Sequence, residues 1–242
     1  MEQYKNFIFI PKHRIQIPSD ISAESINPFS YVLDCVSFLF SQYIPTIIEK
    51  PLTVFIRCGM HDPQCVREAH AIFLNCEIFS WSQAAFQFAH ELCHYCIPDD
   101  VPGNLRWLEE SICQTASVFF LRRLTQFWKA TSIQYRTVDG RLYADCFTEY
   151  AEDNMQTTEP VNLKTQETIM DLESNCYQRN KNRYIASQLL PIFTRNPLLW
   201  SAVPTLCNLC PNQSLQASLD EWLQAEPQEI YPGLLQLRSL FA

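Results

Sequence analysis

The run His90-Glu91-Leu92-Cys93-His94 constrains this chain more than any other stretch, because its chemistry requires a helix. Residues four apart on an α-helix lie one turn above each other, so His90 and His94 can direct imidazole nitrogens at one ion about 2.1 Å away. Glu91 is rotated by about 100° from His90, which leaves its carboxylate beside such an ion instead of on it. The pattern therefore predicts a metal site with a general base next to it.

The residues around this motif favour a helix. No Pro or Gly interrupts residues 82–97, and Pro98-Asp99-Asp100 follows them as a helix end would. An alternative interpretation is a pair of core histidines on a buried helix with a solvated Glu91. The helical context favours the metal site, because a motif gains weight when its predicted surroundings are present.

A catalytic zinc site needs a third protein ligand, and the next predicted helix offers two candidates. Glu109 and Glu110 lie near the start of the apolar run of residues 105–130. Acidic residues in a first turn also stabilise the helix dipole, which is the plain explanation for one of them. Small or polar residues lie three, four and seven positions after Glu110 and would leave room for an ion. This packing favours Glu110 as the ligand, with Glu109 as the alternative.

The motif and the run Trp-Leu-Glu-Glu at residues 107–110 together resemble the gluzincin metallopeptidases. In that group a second helix often opens with Trp-Leu-x-Glu, and the Glu is the third zinc ligand. The resemblance therefore implies that His90, His94 and Glu110 hold Zn²⁺.

Residues further upstream narrow the resemblance. Residues 71–75 (Ala-Ile-Phe-Leu-Asn) followed by residues 86–95 are similar to the ImmA/IrrE-like family. Its usual form is a strand ending in Asn, a short spacer, and then Phe-x-x-Ala-His-Glu-Leu-Gly-His. The resemblance covers roughly residues 50–125 and implies an intracellular protease that acts on regulatory proteins. Two features depart from the family: Cys93 stands where Gly is usual, and the spacing from the second histidine to the glutamate is short.

Composition excludes several other classes of protein. The chain has 242 residues, of which 47% are hydrophobic, and this is enough for a sizeable core. Its net charge of -8 argues against a surface that follows nucleic-acid phosphates. The first apolar run, residues 7–10, is too short for a signal peptide, and no apolar run of membrane length follows. We therefore predict a cytoplasmic protein with a peptide or protein substrate and no nucleic-acid or membrane partner.

The cysteines and the other histidines receive plain interpretations. Eleven cysteines, an odd number without a secretion signal, predict reduced thiols. Cys207 and Cys210 form a Cys-x-x-Cys pair, but a structural zinc site needs four ligands and no second pair of matching spacing accompanies them. We interpret both as free thiols. His13, His61 and His70 are expected to be solvated or hydrogen-bonded and not to bind metal.

Periodicity and resemblance together predict an α+β fold. It would have a zincin-like core with a small antiparallel or mixed sheet, an active-site helix pair and a mostly helical C-terminal half. Residues 1–130 form the predicted core, and residues 131–242 pack on it or form a helical domain of their own. Strands are expected over residues 7–10, 14–17, 52–56 and 70–74, and helices over residues 29–44, 82–97, 105–130, 143–155, 163–190 and 214–225.

The functional hypothesis is a zinc-dependent metallopeptidase that cleaves a peptide bond through a zinc-bound water activated by Glu91. The alternative is a zincin-like module that binds or senses without turnover, although a purely structural site has no need of a base. Hydrolysis also needs a donor for the developing oxyanion. The sequence leaves four candidates in the C-terminal half unranked, namely Tyr143, Tyr150, Tyr177 and Tyr184.

Overall fold

The computed structural model describes residues 13–16, 23–44, 52–59, 62–131, 133–155 and 160–242. Within these residues the strands are β1 His13–Gln16, β2 Leu52–Ile56, β3 Gln64–Val66 and β4 Ala71–Leu74. The α-helices are α1 Ala23–Ser41, α2 Trp81–Cys96, α3 Arg106–Ala130, α4 Tyr143–Asp153, α5 Gln166–Ser174, α6 Arg179–Arg195, α7 Leu215–Ala225 and α8 Tyr231–Ser239. The fold is α+β and the C-terminal half is mostly helical, as predicted.

The strands form a small mixed sheet in the order β1-β2-β4-β3. β1 pairs parallel to β2, β2 pairs parallel to β4, and β3 pairs antiparallel to β4. β2 alternates buried and half-buried residues, which is the pattern of a strand with one face in the core. The predicted mixed sheet is confirmed, although β3 was not predicted and the predicted strand at residues 7–10 lies outside the described residues.

Helix α1 begins earlier than predicted. The sequence placed its start after Pro28, yet the helix begins at Ala23 and includes that proline. Proline lacks an amide hydrogen and removes one backbone hydrogen bond, which is why it usually marks a helix start. The apolar residues after it, among them Phe29, Val32 and Val36, are fully buried. This packing stabilises the helix despite the lost bond.

Contacts between Cα atoms divide the described residues into two compact units. The first is the described part of Met1–Gln42, Ile47–Tyr95 and Ala116–Asn154. Its core is rich in aromatic rings: Trp81 stacks on Tyr143 with ring centroids 4.0 Å apart, and Phe40 stacks on Phe120 at 3.7 Å. The predicted division into residues 1–130 and 131–242 stays a prediction.

The second unit is the described part of Tyr43–Thr46, Cys96–Thr115 and Met155–Ala242. Trp107 packs edge-on against Phe241 with ring centroids 5.5 Å apart. Trp222, on the predicted amphipathic helix α7, donates its indole N–H to Thr205 at 3.0 Å. Ser214 caps α7 by accepting a hydrogen bond from the Ala217 amide.

The predicted helix over residues 163–190 is wrong in one respect, because two helices occupy this region. α5 ends at Ser174 and α6 begins at Arg179. Between them the Asn175 side chain accepts a hydrogen bond from the Tyr177 amide at 3.1 Å, and such local bonds compete with helix. α6 also continues through Pro191 to Arg195, and α8 lies beyond the helix that the sequence indicated as the last.

Among the described residues, no helix combines the length and the apolar character that crossing a membrane requires.

Candidate metal centre

Helix α2 carries the motif, and the end of β4 fixes one part of it. The Asn75 amide donates to Gln87 Oε1 at 2.9 Å, and Gln87 Nε2 donates back to the Asn75 carbonyl at 3.0 Å. Gln83 Nε2 donates to the same carbonyl at 3.1 Å. The two glutamines lie at helical spacing from His90 and His94, on the same face of α2. Their side-chain amides therefore hold the helical turns that come before the histidines. The sequence signal for this anchor is a pair of Gln residues four apart on the face of the motif, and the prediction from sequence missed it.

A second set of contacts holds the C-terminal end of α2. Arg67 donates from Nε to the His94 carbonyl at 3.1 Å, and such a cation near a helix C-terminus is favourable. His70 Nδ1 lies 2.8 Å from the Tyr95 hydroxyl, so His70 is hydrogen-bonded as predicted. His70 also has a φ of 46°, which is unusual for a residue other than glycine. This turn positions its side chain beside the residue that follows His94.

The two histidines of the motif direct their Nε2 atoms towards each other. His90 Nε2 and His94 Nε2 are 3.3 Å apart, and the rings are inclined at 60°. Two nitrogens that each lie about 2.1 Å from an ion at a tetrahedral angle are about 3.4 Å apart. The observed separation therefore fits a pair of ligands on one tetrahedral ion.

Glu110 completes a group of three possible ligands. One ligand atom from each of His90, His94 and Glu110 lies within 4.8 Å of the other two, and all three residues are half-buried. This group could hold a metal ion. The neighbouring Glu109 is only 7% exposed and does not belong to the group. The donor set of two imidazoles and one carboxylate matches catalytic zinc sites, so the residues present fit the metal that the sequence suggested.

Glu91 lies in the interior. Its side chain is 6% exposed, whereas the alternative interpretation expected a solvated Glu91 between two core histidines. His90 and His94 are half-buried instead of fully buried. The structure therefore places the Glu91 side chain in the interior, directly after the first of the three possible ligands.

One of the four candidate tyrosines lies near this group. Burial raises the pKa of Tyr177, and the negative charges of Cys176 and Glu110 raise it further, which places Tyr177 close to a possible ligand. Its side chain is 69% exposed. Tyr143 instead donates its hydroxyl to the Phe79 carbonyl at 3.2 Å, and Tyr150 packs against Phe86. The interaction with Glu110 thus places Tyr177 beside one of the three possible ligands.

Cys207 and Cys210, the Cys-x-x-Cys pair, each have a local hydrogen-bond partner. Cys207 donates to the Pro204 carbonyl, and the Cys210 thiol donates to Glu221 at 3.0 Å. This hydrogen bond raises the pKa of Cys210. Both are free thiols, as predicted. The side chain of His13 and the whole of His61 lie outside the described residues.

Comparison with known proteins gave no match among family models, curated proteins or solved structures.

Proposed function

We propose that this protein is a zinc-dependent metallopeptidase of the gluzincin type. The observation that supports this most is the convergence of His90, His94 and Glu110, whose ligand atoms lie within 4.8 Å of one another. Two imidazoles and one carboxylate leave a fourth coordination position for water or substrate, which distinguishes a catalytic zinc site from a structural one.

The zinc ion, when bound, supplies a Lewis acid that polarises a carbonyl and lowers the pKa of a water molecule. Glu91 accepts the proton of the attacking water at a carboxylate oxygen and delivers it to the nitrogen of the leaving amine. Because Glu91 is buried, solvent screens its electrostatic interactions with neighbouring groups only weakly. A site that only binds or senses a metal would not need this carboxylate.

The proposed substrate is a peptide or protein. The resemblance to the ImmA/IrrE-like family supports a regulatory protein of the cell interior as its class. The chain itself contributes the hydrogen-bonded anchor at Asn75 and the contact from Arg67 to His94, which hold α2 at both ends of the motif. Such support keeps catalytic side chains within the narrow geometry that hydrolysis needs.

The first test measures bound metal by mass spectrometry in four proteins. We expect about one zinc ion per chain in the wild type, as three protein ligands would give. Glu110→Gln should weaken zinc binding by more than about tenfold, because it removes a charged ligand. Glu109→Gln is the matched control, since it makes the same chemical change one residue away, and it should keep its zinc. Glu91→Gln should also keep its zinc.

Turnover separates the enzyme from the silent module. Each protein is incubated with a fluorogenic peptide library and with a mixture of unfolded proteins. We expect hydrolysis by the wild type and by Glu109→Gln, and a loss of at least about 10²-fold in Glu91→Gln. A wild-type protein that binds zinc and cleaves nothing would favour the silent module. A wild-type protein that binds no zinc after reconstitution would overturn the proposal altogether.

A further inference from the structure

Two cysteines lie next to each other where strands β2 and β4 end. The parallel pairing of these strands reaches the facing residues Ile56 and Leu74. Cys58 comes two residues after Ile56, and Cys76 comes two residues after Leu74. An electrostatic interaction between Cys58 and Cys76 shows that the two thiols lie near each other.

Hydrogen bonds hold the two segments together beyond the ends of the strands. The Arg57 amide donates to the Leu74 carbonyl at 2.9 Å, and the Gly59 amide donates to Asn75 Oδ1 at 3.0 Å. These bonds fix the backbone on both sides of Cys58. Neighbouring strands lie about 4.8 Å apart, and disulfides join Cα atoms that are about 4.4–6.8 Å apart. A pair of segments held together at this spacing can therefore carry a disulfide bridge.

The two thiols differ in their access to solvent. Cys58 is exposed, whereas Cys76 is 2% exposed. Burial raises the pKa of Cys76 to about 12, and negative charge on Cys58 contributes to this rise. Cys76 therefore keeps its proton at neutral pH, and an oxidant reaches Cys58 first. This is the arrangement of a reactive cysteine beside a resolving one.

We propose that Cys58 and Cys76 form a redox modification site, closing to a reversible intrachain disulfide when the protein meets a hydroperoxide. The Cys58 sulfur attacks the terminal peroxide oxygen, an S–O bond forms as the O–O bond breaks, and the Cys58 proton goes to the leaving oxygen, which departs as an alcohol or water. The Cys76 sulfur then attacks the sulfenic sulfur of Cys58, its S–O bond breaks, and water leaves with the Cys76 proton. The two cysteines lose two electrons, and the hydroperoxide gains them.

The place of this pair gives the bridge a structural consequence. Asn75 lies directly before Cys76, and its carbonyl accepts hydrogen bonds from Gln83 and Gln87 of α2. A bridge would tie the segment that anchors α2 to the end of β2. The site needs neither a metal ion nor a substrate, so it stands or falls independently of the proposed peptidase activity.

The test maps cysteines in the full-length protein. The protein is reduced, freed of reductant and metal, and exposed to hydrogen peroxide. Remaining thiols are then alkylated under denaturing conditions, and the digest is examined by mass spectrometry. We expect a peptide pair linked through Cys58 and Cys76 as the main cross-linked product, with the loss of two hydrogen atoms, and we expect dithiothreitol to remove it.

Three variants sharpen the result. Cys58→Ser should abolish the linked pair, and Cys65→Ser, which alters another thiol in the same sheet, should leave it intact. Cys76→Ala should let the sulfenic acid of Cys58 accumulate, detected as a dimedone adduct; if this variant does not fold, the wild type and Cys58→Ser still decide. Sulfinic acid at Cys58 with Cys76 fully alkylated in the wild type, or a link from Cys58 to another cysteine, would overturn the proposal.

Discussion

Asp34 is a carboxyl group that the fold holds at a cost. It lies half-buried on α1, next to the fully buried Cys35. Burial raises the pKa of Asp34 from its usual range to about 6, because removing a charge from water penalises the ionised form. Between about pH 4 and pH 6 the folded protein therefore keeps a proton that the unfolded chain releases. Stability falls as the pH rises through this window.

Asp34→Asn should remove this penalty. At pH 7 we expect the free energy of unfolding to rise by about 1 kcal/mol, a figure reduced from the full shift because the side chain is partly exposed. Near pH 3 the difference should nearly vanish, because the wild-type carboxyl is then largely protonated in both states. Urea unfolding at both pH values measures the effect, and Glu229→Gln, at an exposed position, controls for the lost charge. Equal stabilisation at both pH values would contradict this explanation.

The three possible metal ligands could be predicted from the sequence, but the hydrogen bonds that hold helix α2 in place could not. The spacing of His90 and His94 follows from the helix period alone, and the small or polar residues after Glu110 favoured it over Glu109 from sequence. The structure adds the burial of Glu91 and the separation of the ring nitrogens. The role of Asn75 as an anchor for α2 could not be predicted. Its carbonyl accepts hydrogen bonds from Gln83 and Gln87, and these contacts depend on where the end of β4 meets the helix in the folded protein.

At the scale of secondary-structure elements, helix α8 packs closely against its neighbours at Gly233. A Cβ atom on this residue would lie 3.1 Å from Asn196 Cβ and 3.2 Å from Leu199 Cδ2. Gly103, in the short turn Gly103–Leu105 before α3, has no atom within 4 Å of such a Cβ position. Glycine at 233 therefore allows a close approach, whereas glycine at 103 does not serve packing.

Gly233→Ala should destabilise the protein by about 1 kcal/mol. The gain in helix propensity is about 1 kcal/mol, but overpacking against Asn196 and Leu199 costs about 1–3 kcal/mol. Gly103→Ala is the matched control and should change the free energy of unfolding by less than about 0.5 kcal/mol. Urea denaturation of both variants measures the difference. If Gly233→Ala proves more stable than the wild type, its neighbours can move aside and the packing argument fails.

Elements with a long, uninterrupted pattern were predicted well. α2 and α3 begin and end within about one residue of their predicted bounds, because no Pro or Gly interrupts either run and Pro98, Pro102 and Gly103 lie between them. β3 has only three residues, too few to show a period. The break between α5 and α6 coincides with a hydrogen bond that the Asn175 side chain accepts from the Tyr177 amide, which composition alone does not reveal.

On the scale of the whole molecule, bound metal should act as a stabiliser. His90 and His94 come from α2 and Glu110 from the first turns of α3, and an unfolded chain does not hold these residues together. An ion that binds the folded state alone raises its stability in proportion to the logarithm of its concentration over the dissociation constant.

Returning zinc to chelator-treated protein should therefore raise the melting temperature. At a thousandfold excess over the dissociation constant the gain is about 4 kcal/mol, which for a chain of this size corresponds to about 10 °C. Differential scanning calorimetry measures the shift. Glu110→Gln should show a much smaller rise, Glu109→Gln a rise equal to the wild type, and Mg²⁺ none. A zinc-induced rise of the same size in Glu110→Gln would exclude that residue as a ligand.

The order of strands in the sheet also has a consequence for how the protein folds. Two of its strand pairs are parallel, namely β1 with β2 and β2 with β4. Parallel strands are separated by a long connection in the sequence, so their pairing brings together distant parts of the chain. Such non-local contacts form slowly compared with helices, which need only neighbouring residues. Because Asn75 at the end of β4 anchors α2, we expect the two histidines to reach their final geometry only after this pairing is complete. In kinetic terms, we therefore expect the metal centre to be assembled late in folding, after the helices have formed.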